Sequence, residues 1–333
     1  MTLNRLWNRL RPTPQVDKAQ TIDDLKLCFL IAASPNDGFF SQIAMFRMAL
    51  NALGGIYHRA HMVIVFGDEV VEPLPEVWKP YFDNISTYWV DPAAFEQDSY
   101  LAQGDARWLY LDAAYDFVIF TDADVMLVRP IDDLLADLLH TPAVGGTVAH
   151  FTFPQFPGEH PQQKWTSLAQ ELLGKPLPFT YTHTLTTDEM ESGLRQTPFY
   201  VNYGFVILPY VLAEHIKESV LRLRPLVSKR LYLPYFSAQV GLTLAIYAHD
   251  LPCKALPLKY NFPNDRTAEA MYPADMQDIR VLHYLRTERF NRQEIFAAPD
   301  AFEHFLALEL QGSEAIFQAH VRQLTGGHYP FSR

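Results

Sequence analysis

Hydrophobic positions in this chain gather into short stretches that polar or turn-forming residues close off. Residues 25–32, 62–66 and 117–120 are nearly unbroken apolar runs, and 85–90 is a weaker one ending at Asp91-Pro92. Runs of this length predict strands buried on both faces, as in parallel sheets. Between the first two, residues 39–53 repeat apolar side chains at helical spacing. Asn36 or Asp37 stands where a cap is needed, and Gly54-Gly55 stops the helix. Strand, helix, strand, strand in that order predicts an α/β fold with a mostly parallel sheet and crossover helices. Ligands of such sheets bind beyond the carboxyl ends of the strands. Ala33, Ser34, Asn36 and Asp68 therefore stand beside a candidate nucleotide crevice, although Asn36 and Asp37 also suit capping alone. No glycine fingerprint for dinucleotides and no phosphate-loop lysine motif accompanies them.

The rest of the chain is arranged about residues 115–130. Phe117 to Phe120 runs into Thr121-Asp-Ala-Asp124, and a second apolar run, Val125 to Val128, follows at once. Two carboxylates beside buried strands are costly unless something compensates them. Read as extended chain, the triplet sets Asp122 and Asp124 on one side, with Ala123 keeping the space between them open. A hard divalent cation, Mg²⁺ or Mn²⁺, accepts such oxygens, and a diphosphate can complete its shell. The competing reading is a surface turn that happens to carry two acids; the flanking apolar runs count against it. Upstream, residues 100–114 predict a helix whose Arg107 is placed to reach a diphosphate or to pair with Asp122. Downstream, residues 131–139 predict a short helix with Asp132 and Asp133 near its start, favouring its dipole. Residues 143–149 predict a strand.

Residues 150–200 mix prolines with Phe151, Phe153 and Phe156, a helix at 165–173, and Tyr181 and Tyr200. Long connections inside α/β units act as lids or binding loops. This one reads as the acceptor side, with Tyr181 and Tyr200 available to stack on sugar faces. His150 and His183 are more simply structural. The phrase from Tyr200 to Pro209 predicts a polar turn, carrying Asn202 and Gly204, that leads into a buried strand. Asn202 has donor and acceptor atoms for a sugar hydroxyl, and Gly204 permits close backbone approach. Residues 211–223 and a segment starting near 235 predict helices, the second carrying Gln239. Residues 279–286 predict an apolar strand that delivers His283 at its end, with Arg286 beyond. A neutral imidazole beside carboxylates suits Mn²⁺.

Asp105-Ala-Arg-Trp-Leu109, the run from Phe117 to Pro130 and Val128-Arg-Pro-Ile-Asp-Asp-Leu134 together resemble the central segment of the GT-A glycosyltransferases. The likeness is nearest to the retaining family that includes bacterial lipopolysaccharide galactosyltransferases and glycogenin. It spans roughly residues 25 to 290, with a gap across the middle connection. The resemblance implies a GT-A fold, Rossmann-like with a mostly parallel sheet flanked by helices. It implies that Asp122, Asp124 and His283 hold Mn²⁺ (or Mg²⁺) against the diphosphate of a nucleotide-sugar, with UDP-hexose as the donor. It places the nucleoside near Ala33 and Ser34, Arg107 near the nucleotide-sugar, Asn202 near the transferred sugar, and Arg286 where the family has a basic residue on the diphosphate. The family usually shows an Asp-Gln pair lining the donor sugar; here Gln239 matches, but Ala238 replaces the acid. Retention of configuration is implied, with no obvious protein nucleophile. An inverting enzyme needs a carboxylate as general base, for which Asp265 and Asp188 are the loop candidates.

Composition narrows the partners. A net charge of -11 argues against nonspecific nucleic-acid binding, and a 49% hydrophobic share supplies a sizeable core. Two cysteines, Cys28 and Cys253, give no disulfide framework and suit a reducing compartment. No apolar run reaches the length of a membrane span, and the start lacks the apolar region of a signal peptide, so a cytoplasmic enzyme is expected. Residues 1–20 divide into a basic amphipathic segment, whose positions 3–11 suit peripheral contact with anionic lipid, and a linker. A single catalytic domain is expected over 21–298, with a helical extension over 299–333. The expected activity is metal-dependent transfer of a hexose to a hydroxyl of a glycan or glycolipid. Two alternatives are a nucleotidyltransferase of the same broad fold, for which a glycine-rich basic loop is missing, and a non-catalytic nucleotide-sugar-binding protein, to which Ala238 lends weight.

Overall fold

Strand β1 (Leu27–Ala33) sends alternate side chains into two cores: Leu27, Phe29 and Ile31 into one, Cys28 and Leu30 into the other. Covered faces on both sides are the reason its sequence is an unbroken apolar run. In the computed structural model, which describes residues 21–152 and 160–329, the elements then follow in order. They are α1 (Asp37–Leu53), β2 (His61–Phe66), β3 (Ile85–Trp89), α2 (Ser99–Leu109), β4 (Phe117–Thr121), β5 (Val125–Leu127), α3 (Asp132–His140), β6 (Val144–Val148) and α4 (Pro161–Leu173). After these come β7 (Tyr181–Thr182), β8 (Gln196–Thr197), β9 (Val201–Pro209), α5 (Tyr210–Ser228), α6 (Ser237–Ala248), β10 (Cys253–Ala255), β11 (Phe262–Pro263), β12 (Val281–His283), α7 (Pro299–Ala307) and α8 (Gly312–Thr325). The basic segment at 3–11, the linker, Phe153, Phe156 and the last residues of the C-terminal extension lie outside the described residues.

The large sheet runs β10-β6-β9-β4-β1-β2-β3. β1 lies parallel to β2 and β4, β2 to β3, and β6 to β10, while β9 runs antiparallel to both β4 and β6. The mixed α/β architecture with a mostly parallel sheet is therefore as the apolar pattern predicts. Helices α1, α3, α7 and α8 bury their apolar faces in one core, and α2, α4, α5 and α6 in the other. The C-terminal helices belong to the first of these, through Phe302, Phe305 and Phe317. Among the described residues, no helix is long and apolar enough to cross a membrane. Both cysteines are free.

Two elements differ from the sequence reading. Helix α2 stops at Leu109 rather than near residue 114, because the chain turns at Asp112, whose Oδ1 accepts from the Ala114 N–H at 2.9 Å. Asn202 and Gly204 are not a turn before a strand but lie inside β9. The Gly204 N–H donates to Asn202 Oδ1 (2.8 Å), the local bond that turn-forming asparagines make, while the backbone stays extended. The ladder between β6 and β9 shifts register there, pairing Gly146 with Val206 but Val148 with Val201.

A second sheet, β11-β12-β5, starts where β4 leaves off. β12 pairs antiparallel with β5, setting His283 opposite Val125, and parallel with β11, setting His283 beside Pro263. The Asp122-Ala123-Asp124 triplet is the turn by which the chain passes from one sheet to the other.

Candidate metal centre

Because His283 is paired with Val125, it lies one residue from Asp124 across the small sheet. Its Nε2 stands 3.4 Å from Asp124 Oδ1 and 3.9 Å from Asp122 Oδ2. One ligand atom from each of Asp122, Asp124 and His283 falls within 4.8 Å of the others. The two acids are a turn rather than an extended strand, yet both carboxylates reach the same imidazole. The Asp122 side chain is the more open, 40% exposed against 11% for Asp124. Two carboxylate oxygens and an imidazole nitrogen form a donor set that fits a divalent metal ion, and the open side at Asp122 leaves room for further oxygen ligands.

The imidazole is held in one tautomer by a relay that begins at the backbone. The Gly204 N–H can only donate, and Asn202 Oδ1 accepts it. Asn261 donates from Nδ2 to the same oxygen (3.0 Å), which turns Asn261 Oδ1 toward His283 Nδ1 (3.1 Å). That oxygen can only accept, so Nδ1 carries a proton and Nε2 is the nitrogen presented to the carboxylates. Asn261 is fully buried. It stands between Tyr260 and β11, and no local signal in the sequence marks it.

The charges are balanced unequally. Burial and the like charge of Asp124 push Asp122 above its ordinary value. Burial would raise Asp124 too, but His283 and Arg292 outweigh it and hold Asp124 below its ordinary value. Burial would lower His283, but Asp124 and Asp122 outweigh it and hold His283 above its ordinary 6.5. In the metal-free protein, His283 therefore contributes stability at pH below 6.5 that is lost as pH rises through its raised folded value. Metal binding has the opposite sign, since it needs the Nε2 lone pair and displaces that proton. We expect the apparent affinity for Mn²⁺ to strengthen by up to about tenfold per pH unit below the folded pKa of His283 and to level off above it. Calorimetry in two buffers of different ionisation enthalpy would read the released proton; pH-independent binding with no proton release would remove His283 from the ligand set.

The remaining predicted residues are placed less uniformly. Arg107 is buried behind the triplet, its guanidinium 5.0 Å from the Tyr203 ring centroid and 5.7 Å from that of Phe120. Nη1 donates to Thr121 O at 3.3 Å, so Arg107 faces Asp122 as an internal charge rather than opening onto a diphosphate. Ala33 ends β1, with Ser34 next to it. Asn36 caps α1, its Oδ1 accepting from Phe39 N (3.1 Å), and that oxygen is occupied by the helix rather than offered to a nucleotide. Asp68 is exposed beyond β2, where its Oδ1 accepts from Glu69 N. Ala238 and Gln239 lie in the first turn of α6, both half-buried.

Asp265 is not a poised base. Its Oδ1 accepts from Thr267 N (2.8 Å), capping a short helix, and its Oδ2 receives Arg286 Nη2 (2.7 Å) and Nε (3.0 Å). Burial opposes ionisation of Asp265, but Arg286 and these backbone donors hold it below its ordinary value. Arg286 is correspondingly committed to Asp265. Asp188 pairs with Arg195 on the surface. Tyr200 is buried and packs edge-on to Trp165 (5.5 Å), and Tyr181 packs on Phe199 (5.3 Å), so these rings build local core. A second residue missed in the sequence, after Asn261, is Arg292, whose Nη1 contacts Asp124 Oδ2 and donates to Leu285 O (2.9 Å). It arrives because its loop packs over the start of α1, where Gln42 Nε2 donates to Arg292 O (2.8 Å).

No family model matches the chain, and no curated protein matches it. Several solved structures are similar to it. Galactosyltransferase LgtC, in complex with donor and acceptor sugar analogs, is 13% identical, with 91% of this chain and 96% of that one covered at a TM-score of 0.47. The apo WbbM bifunctional glycosyltransferase is 15% identical over 90% of this chain, at a TM-score of 0.47, and this chain spans about half (52%) of its length. Mouse xyloside xylosyltransferase 1, also apo, is 14% identical, with 78% of this chain and 97% of that one covered at a TM-score of 0.44.

Proposed function

We propose that this chain is a metal-dependent glycosyltransferase that moves a hexose from a nucleotide-sugar, UDP-hexose foremost, to a hydroxyl of a glycan or glycolipid, with retention of configuration. The observation that carries this reading is the convergence of Asp122, Asp124 and His283 at the carboxyl end of β4. That is the edge where sheets of this kind bind nucleotides. Asp122, Asp124 and the Nε2 atom of His283 would hold Mn²⁺, which when bound neutralises charge on a departing diphosphate. The Gly204–Asn202–Asn261 relay keeps His283 Nε2 directed at that point. Arg107 balances Asp122 from within the protein. Retention is supported by the engagement of Asp265 and Asp188 elsewhere, which leaves neither free as the base that inversion requires. A mass-spectrometric screen of nucleotide-sugars with Mn²⁺, scored for hydrolysis and transfer, tests the reading. No turnover of any donor, with UDP and Mn²⁺ still bound, would favour a non-catalytic binding protein.

Arg292 replaces Arg286 as the basic residue we assign to the diphosphate. It already touches a metal carboxylate, whereas Arg286 is held by Asp265. The two assignments predict opposite outcomes. Arg292→Gln should weaken UDP binding in the presence of Mn²⁺ by about tenfold, the scale of one charged hydrogen bond. Mn²⁺ alone should bind that variant at least as tightly as the parent, because a competing cation has left Asp124. Arg286→Gln should leave UDP binding within about threefold of the parent. Calorimetry giving the reverse order would return the role to Arg286.

A further inference from the structure

His150 lies outside the metal cluster but on the same rim of the sheet. It follows β6, and β9 separates β6 from β4 while running antiparallel to both. The carboxyl ends of β4 and β6 therefore point the same way, with strand axes about 10 Å apart. The titratable and charged groups that act on His150 are His283, Arg286 and Asp265, from the metal centre and its surroundings, and then His183.

Its side chain is 7% exposed. Thr184 Oγ1 donates its proton to Val148 O (3.3 Å), so the hydroxyl receives at its 2.8 Å contact with His150 Nδ1. Nδ1 then carries the ring proton. Nε2 remains a buried lone pair with no hydrogen-bond partner among the described residues. Burial, with His283 and Arg286, pushes the imidazole down to about 4, so the lone pair persists at neutral pH. His183 is the useful contrast. It is also buried and its Nδ1 donates to Ala149 O (2.9 Å), but its Nε2 is not among the buried atoms that lack a partner. A buried acceptor whose tautomer is fixed and whose partner is missing calls for an O–H or N–H donor from a ligand.

We propose that His150 Nε2 is a sugar-binding group that accepts a hydrogen bond from a saccharide hydroxyl lying over β9, between His150 and the metal centre. This rests on the glycosyltransferase reading. The shared chemistry is one alcohol O–H, and it comes either from the hexose of the donor or from the acceptor saccharide. His150 is a binding and positioning residue in both cases.

The test is nitrogen NMR of ¹⁵N-histidine-labelled protein, with the His150 signals assigned by their loss in His150→Phe. Nε2 should be unprotonated in the free protein at pH 7. UDP with Mn²⁺ should leave its shift in place. Movement on adding UDP-galactose or UDP-glucose assigns the hydroxyl to the donor; movement with lactose but not with nucleotide-sugar assigns it to the acceptor. His150→Phe should weaken binding of the effective sugar by about tenfold. His150→Gln, which sets an amide oxygen near the place of Nε2, should restore most of the loss. A protonated Nε2, a shift that no saccharide moves because water holds the site, or unchanged sugar affinity in His150→Phe would overturn the proposal. Absence of UDP-hexose turnover in the parent protein would strike the glycosyltransferase reading alone, since the NMR shift reads sugar contact without catalysis.

Discussion

Asp124→Asn and Asp122→Asn should each abolish sugar transfer, with losses on the order of 1,000-fold, the scale of removing a group that stabilises developing charge. Both variants should fold, because the strands that frame the turn keep their apolar cores. Their stabilities should nevertheless separate. Asp124 faces both His283 and Arg292, and its amide leaves Arg292 without that counter-charge and His283 with the more distant Asp122 alone. Asp122 is pushed up by burial and by Asp124, so its amide relieves a repulsion. With chelator present, Asp124→Asn should therefore melt below the parent protein, and Asp122→Asn at or above it. The rise in melting temperature on adding Mn²⁺ should be lost in both. Near-normal turnover by either soluble variant in chelator-treated, Mn²⁺-limited buffer would sink the assignment of these acids to a metal.

What could be read in the sequence was what a local pattern encodes. Asp122, Asp124 and His283 each stand at the edge of an apolar run, and strand register then brings them together. The two-sided burial of β1 and β4 was equally visible, since continuous apolar runs need covers on both faces. Arg292 was not, because nothing local in Phe290-Asn-Arg-Gln marks a residue that reaches Asp124. Its position depends on a loop seated over the start of α1, where a Cβ on Gly38 would stand 2.7 Å from Gln293 O. Asn261 was hidden for the same reason, as its partners Asn202 and His283 are distant in sequence. Asp265 and Arg286 were each read alone and given separate roles; the structure pairs them. Tyr200 shows a further limit. An aromatic in a polar neighbourhood reads as a sugar platform, and only packing reveals that its ring lies against Trp165.

Gly204→Ala should disable the metal centre without altering any ligand. The reason is space rather than backbone strain, since Gly204 is not among the residues with positive φ. An added Cβ would stand 2.4 Å from His283 Cε1 and Nδ1, and 2.9 Å from Asn202 Oδ1. The imidazole has little freedom to give way. It is 4% exposed, carried on β12 opposite Val125, and bonded to Asn261. The methyl group must displace the ring, break the relay that fixes its tautomer, or both. We expect Mn²⁺ affinity to fall by at least about tenfold, the low end of losses from disturbed metal-ligand support, with transfer falling alongside. Overpacking should also cost about 1–3 kcal/mol of stability. His283→Ala should weaken Mn²⁺-dependent UDP binding more than metal-free UDP binding, and it empties the space that the Gly204→Ala methyl needs. In the double variant Gly204→Ala should therefore add little to the loss of metal affinity and should recover part of its own stability cost. Additive losses would show that Gly204 acts on something other than His283. Parental Mn²⁺ affinity and parental transfer rate in Gly204→Ala would show that the imidazole is not held where its contacts place it.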